Sequence, residues 1–164
     1  MYFLPLVLIT GFFTAGTSAG ASCHTYPWVG ENWFFYGRKH FFNSDEHAFW
    51  RNFTENKLIC QVNHRTLGML MALTTTVLLF RPARLMTLSK SARMSAMFLI
   101  FMLWMQWTIG VTTIVNHVPI PLASMHQCGA MTVLSSLLFA MHSARRVDPR
   151  HVNNLIGKLK NTDP

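Results

Sequence analysis

The chain has 164 residues, of which 51% are hydrophobic and only 12% are charged. Soluble domains carry about 25% charged residues. Half that fraction, with apolar runs of about 20 residues, excludes an ordinary soluble domain and predicts a membrane protein. A net charge of +8 suggests nucleic acid in a soluble protein, but the basic residues here cluster between and after the apolar segments. We interpret them as topology signals and expect no nucleic-acid partner.

The first apolar segment covers about residues 1–21. Its small residues at the end resemble a signal-peptide cleavage site, but no Lys or Arg precedes the apolar stretch, so we expect a retained helix. Gly11, Gly16 and Gly20 suit close contact with another helix in a membrane. Residues 22 to about 55 follow as a polar loop, and its many Trp, Tyr and Phe residues are typical of a layer at the membrane surface.

The second helix is predicted at about 56–80. Asn52 is its expected N-cap, with Glu55 bonding back three residues later as in a capping box. A basic loop follows, and the third helix is predicted at about 94–115. Two prolines end that helix in a tight turn, because proline cannot continue a helix.

The fourth helix is predicted at about 122–143, and a polar tail covers 146–164. The sequence therefore predicts an all-α membrane protein, with a four-helix transmembrane bundle over residues 1–145. Uncompensated basic residues follow the second and fourth helices, so both helices run from the outer to the inner side of the membrane.

Two histidines occupy matching depths in the predicted bundle. His64 and His126 are about 17 and 19 residues from the Arg residues that end their helices, or roughly 25 and 28 Å at 1.5 Å per residue. Two imidazoles at the same depth on parallel helices can serve as the two axial ligands of haem iron. A structural hydrogen bond between helices and a zinc site that adds Cys60 and Cys128 are the alternatives. The odd number of cysteines indicates no disulfide framework.

Three segments, in order, carry a family resemblance. Segment 11–27 reads G-x-x-x-A-G-x-x-A-G…T-Y-P, segment 52–65 reads N-F-x-E-N…Q-x-x-H-R, and segment 118–127 reads V-P-x-P-L-A…H-Q. Together they resemble the C-terminal four-helix bundle of the haem A synthase family of cytochrome oxidase assembly proteins. The resemblance implies that His64 and His126 hold a haem b cofactor between them.

Arg65 is an additional candidate for cofactor binding, because its position at the outer end would let it neutralise haem propionates, and Arg suits carboxylate contact. The resemblance also implies that a separate first bundle holds the substrate, haem O, which the enzyme oxidises to haem A. In that bundle a Glu lies three residues before the first axial His, whereas the corresponding residue here is Gln61. We therefore expect no catalytic residue in this chain.

We expect partnership with membrane lipid and with an N-terminal substrate-binding bundle, in the same enzyme or in a separate chain. A homo-oligomer is also compatible with the sequence. A free-standing bis-histidine electron-transfer protein and a haem-free assembly subunit are the alternative functions. The expected location is the mitochondrial inner membrane, where the basic loop would face the matrix, and the alternative is a bacterial plasma membrane.

Overall fold

The computed structural model describes residues 3–29, 49–80 and 88–145. Within these ranges the chain forms helices and no strand, which confirms the all-α prediction. The four α-helices are α1 (Phe3–Gly16), α2 (Lys57–Leu79), α3 (Lys90–Val115) and α4 (Ile120–Ala144). Most of the predicted aromatic surface layer, much of the basic loop and the polar tail lie outside the described residues.

Two of the four helices, α3 and α4, are long and apolar enough to cross a membrane by themselves. The helix α1 is apolar but shorter. The helix α2 has 23 residues, but its first half carries Gln61, Asn63, His64 and Arg65. Polar residues in a membrane helix normally face the interior of a bundle, so the composition of α2 indicates a helix with a function at its outer half.

The first turn of α2 is capped by Asn56, whose side chain accepts hydrogen bonds from the backbone N–H groups of Leu58 and Ile59 at 3.1 and 3.3 Å. The prediction of Asn52 as the N-cap is wrong, because Asn52 belongs to a separate 3₁₀ turn, Phe49–Phe53.

The helix α3 begins at Lys90, four residues before the predicted start at about 94. The Ser89 side chain caps it, accepting from the Ala92 N–H at 3.2 Å. A cap satisfies a backbone donor that the first turn leaves free, so α3 includes residues that the apolar pattern alone does not mark as helical.

The helices pack as two antiparallel pairs, α1 with α2 and α3 with α4, and α2 also contacts α3. The indole N–H of Trp104 in α3 donates to the Thr76 hydroxyl of α2 at 3.0 Å. The apolar core lies toward the end of the bundle where α2 and α4 terminate, which the basic residues predict to be the inner end, and includes Leu99, Leu103 and Val133. The more polar residues of α2 therefore lie at the opposite end, which we call the outer end, beside the start of α4.

Candidate cofactor site

The two histidines selected by their sequence depth lie side by side inside the bundle. The ring centroids of His64 and His126 are 6.2 Å apart, and the ring planes are inclined by 83°. His64 follows the first residue of α2 by seven positions and His126 follows the first residue of α4 by six, which is about 10 Å along each helix. The fold thus places two imidazoles at one level on two helices that run in the same direction.

Each imidazole lies against a glycine of the helix that precedes it. A Cβ atom at Gly11 of α1 would be 2.8 Å from Cε1 of His64, and one at Gly110 of α3 would be 2.8 Å from Cε1 of His126. Any larger residue would have to displace the ring, so glycine suits both positions. The sequence predicts only a helix contact for Gly11 and gives no signal for Gly110, because nothing in the local pattern links either glycine to a distant histidine.

The ring of His64 is oriented by hydrogen bonds to α1. Its Nδ1 lies 3.2 Å from the Val7 carbonyl oxygen and 3.3 Å from the Thr10 hydroxyl oxygen. A carbonyl can only accept a hydrogen bond, so Nδ1 carries the hydrogen and the lone pair is on Nε2. That tautomer leaves Nε2 free to bind a metal ion.

The ring of His126 is held differently. Its Nδ1 is buried and makes no hydrogen bond within the described part of the chain. The backbone at His126 is anchored instead, since its carbonyl oxygen accepts from the Gln106 side-chain amide at 2.7 Å. The helix is therefore fixed at this level while the imidazole nitrogen has no partner.

Arg65 and Gln61 attach the segment after α1 to α2. The two terminal nitrogens of Arg65 donate to the carbonyl oxygens of Thr25 and Cys23 at 2.9 and 2.8 Å. The Gln61 amide donates to the carbonyl oxygens of Gly20 and Cys23 at 3.1 and 3.0 Å. The Nε atom of Arg65 is buried and has no hydrogen-bond partner among the described residues.

Gln61 is fully buried, and its amide nitrogen faces two carbonyl oxygens. A Glu carboxylate in this place would bring negative oxygens against those carbonyls and could donate to neither. The local structure is therefore suited to an amide, in agreement with the absence of a glutamate from this position.

The zinc alternative finds no support in the described ranges, where no group of three or more His, Cys, Asp and Glu side chains could hold a metal ion. Cys128 is exposed, and the Cys60 thiol donates to the Phe53 carbonyl oxygen at 3.4 Å. His24 and His117 form a second contact between histidine rings near the outer end, with centroids 4.2 Å apart.

A family model, COX15-CtaA, described as cytochrome oxidase assembly protein, matches residues 1–138. The chain belongs to this family. A human relative, heme A synthase COX15, is 33% identical over 145 residues, which cover 87% of this chain and 33% of the relative. A heme A synthase of Nitrosospira multiformis is 30% identical over 86% of this chain and 38% of its own length.

A third relative, a heme A synthase-mitochondrial ferredoxin fusion protein of Schizosaccharomyces pombe, is 32% identical over 91% of this chain and 26% of its own length. The chain thus spans about a third of the length of these relatives. A search of solved structures found no match. Membership in this family makes the chain a multi-pass protein of the mitochondrial inner membrane or a bacterial membrane, and implies that it binds haem.

Proposed function

We propose that the chain is the haem b-binding, C-terminal half of a haem A synthase, and that it supports the oxidation of haem O to haem A for cytochrome oxidase assembly. The observation that carries this proposal is the pair of imidazoles with centroids 6.2 Å apart inside the bundle. The match to only about a third of the relatives' length agrees with a partial enzyme.

The residues present fit a haem. Two bonds of about 2 Å between a metal ion and imidazole nitrogens, with the distance from each nitrogen to its ring centre, give roughly 6 Å between the ring centres. Gly11 and Gly110 present no side chain toward these rings, which leaves room for both imidazoles at this level of the bundle. The donor set, two neutral imidazoles, is one that haem iron accepts.

His64 and His126 would hold the iron, and Arg65 would donate its Nε–H, which has no partner among the described residues, to a propionate. A haem in this place supplies one-electron transfer. The chain's own contribution is to orient the two imidazoles, to keep the segment 20–25 attached over the outer end through Gln61 and Arg65, and to surround the site with apolar helices that exclude water.

The oxidation itself would take place in the N-terminal bundle. The helices α1 to α4 contain no Asp or Glu, so they offer no carboxylate to act as a general acid or base inside the membrane. Gln61 cannot take that role, because an amide does not ionise. We therefore assign electron transfer to this chain and substrate binding to its partner bundle.

Absorption spectroscopy of the purified protein tests the assignment. We expect a low-spin b-type spectrum, which His64→Ala and His126→Ala each abolish or convert because either change removes one of the two ligands. The matched control is His24→Ala, which removes a histidine at the outer end and should leave the spectrum unchanged. A normal low-spin spectrum in His64→Ala would exclude this ligand pair, and purified wild-type protein without any haem would favour the haem-free assembly subunit.

A further inference from the structure

The two imidazoles are held by one arrangement that occurs twice. His64 lies against Gly11 and near the backbone carbonyl of Val7, four residues before that glycine. His126 lies against Gly110 and near the backbone of Gln106, again four residues before the glycine. The positions of α1 and α3 can therefore be matched one to one around the two rings.

The two arrangements, α1 around His64 and α3 around His126, differ at the residue before each glycine. Thr10 precedes Gly11, and its hydroxyl donates within α1 to the Leu6 or Val7 carbonyl oxygen at 3.0 or 3.1 Å. The oxygen then has a lone pair to accept from Nδ1 of His64, 3.3 Å away.

Ile109 occupies the equivalent position before Gly110 and has no polar side-chain atom. Accordingly, Nδ1 of His126 has no hydrogen-bond partner in the described ranges. The two candidate ligands thus differ at Nδ1. In His64 this atom has the Val7 carbonyl and the Thr10 hydroxyl as acceptors. Only the second acceptor comes from a side chain, and Ile109 supplies none to His126.

We infer that Thr10 is a positioning residue that, together with the Val7 carbonyl, makes His64 the firmly held ligand and leaves His126 as the exchangeable one. An acceptor at Nδ1 fixes the tautomer and orientation of a metal-bound imidazole and strengthens its donation to the metal. An added ligand for ferrous iron therefore enters in place of His126. This inference rests on the proposed function, because it concerns residues that orient the ligands of a bound haem.

Exchanging the residues at positions 10 and 109 tests the inference. In haem-loaded protein, Thr10→Val keeps the side-chain shape and removes one of the two acceptors at Nδ1 of His64 while the Val7 carbonyl remains, so the affinity of reduced haem for carbon monoxide should rise, by up to about tenfold. Ile109→Thr supplies an acceptor on the other side and should lower that affinity by a similar factor. The haem midpoint potential should also shift in opposite directions in the two variants.

Two control variants test whether the effect depends on the hydroxyl group beside His64. Thr10→Ser keeps the hydroxyl and should behave like wild type. Thr108→Val removes a hydroxyl that donates within α3, to the Trp104 carbonyl oxygen at 2.9 Å, and should change neither the affinity nor the potential.

Unchanged carbon monoxide affinity and potential in both Thr10→Val and Ile109→Thr would overturn the inference, as would shifts of the same sign. If Thr10→Val does not retain haem, the Ile109→Thr measurement decides, and an affinity equal to wild type overturns the role of Thr10. A wild-type protein without a bis-histidine spectrum contradicts the proposed function instead, so the two failures are distinguishable.

Discussion

Gly11 and Gly110 each leave room for an imidazole, and a single methyl group at either position would lie 2.8 Å from a ring carbon. We expect Gly11→Ala and Gly110→Ala to displace the adjacent ring and to lower the haem bound per protein severalfold. Gly68→Ala is the control, because nothing lies within 4 Å of a Cβ there.

The control should retain haem and gain up to about 1 kcal/mol of stability, since alanine favours a helix interior over glycine. The ratio of haem to protein after purification and the unfolding temperature in detergent are the measurements. Equal haem content in Gly11→Ala, Gly110→Ala and Gly68→Ala would show that these glycines do not shape the site.

Replacing Gln61 should change the stability of the fold but not the chemistry. Gln61→Glu removes both hydrogen bonds to the carbonyl oxygens of Gly20 and Cys23 and places a carboxyl group in their place. We expect a loss of about 1–3 kcal/mol in the free energy of unfolding, because the Gly20 carbonyl loses its side-chain donor and a carboxyl group is buried beside it, and no gain in haem A formation.

Gln61→Met, which removes the hydrogen bonds without adding a carboxyl group, should be less destabilised than Gln61→Glu. Denaturant unfolding gives the stability, and haem extraction with chromatography gives the product. Haem A formed by the Gln61→Glu variant alone would contradict the proposal that the oxidation takes place in the N-terminal bundle.

At the scale of the element, the N-cap residue Asn56 determines where α2 begins. Asn56→Ala removes an acceptor for two backbone N–H groups and should cost about 0.5–2 kcal/mol of stability. Asn56→Asp retains a good N-cap and should stay within a few tenths of a kcal/mol of wild type. Thermal unfolding in detergent is the measurement, and equal stability of all three proteins would show that Asn56 does not define this end of the helix.

The sequence predicts the helices and the histidine pair because both depend on regular geometry. Apolar runs mark α3 and α4, and the constant rise of a helix puts His64 and His126 at one depth. The N-cap of α2 could not be chosen from sequence, because both Asn52 and Asn56 precede the helix and only the 3₁₀ turn distinguishes them. The contact between Gly11 and His64 joins positions 53 residues apart, so no local pattern reveals it.

At the scale of the whole molecule, α1 has an exposed apolar surface that could contact a partner. Of the glycines expected to make close helix contacts, Gly11 faces His64 and a Cβ at Gly20 would meet Val118, while nothing lies near Gly16. Leu6, Ile9 and Phe12 expose about half or more of their surface. We propose that the N-terminal substrate-binding bundle covers this face.

Expression in cells without the endogenous enzyme tests the division of labour between the two bundles. We expect no haem A from this chain alone, and haem A when an N-terminal bundle carrying E-x-x-H-R is co-expressed. The control is the same co-expression with His64→Ala, which should yield none because the cofactor ligand is missing. Haem A produced by the chain alone would show that one bundle suffices, and none with the partner bundle would favour a free-standing electron-transfer protein.

The contacts of Gly11 with His64 and of Gly110 with His126 show that each antiparallel helix pair, α1–α2 and α3–α4, presents one imidazole in the same way. A porphyrin bound between the two rings would meet a histidine and a glycine on either face, and so similar neighbours after turning over. Because its methyl and vinyl groups are arranged asymmetrically, the two orientations are distinct species. We therefore expect both orientational isomers in freshly reconstituted protein, visible as two sets of haem methyl resonances.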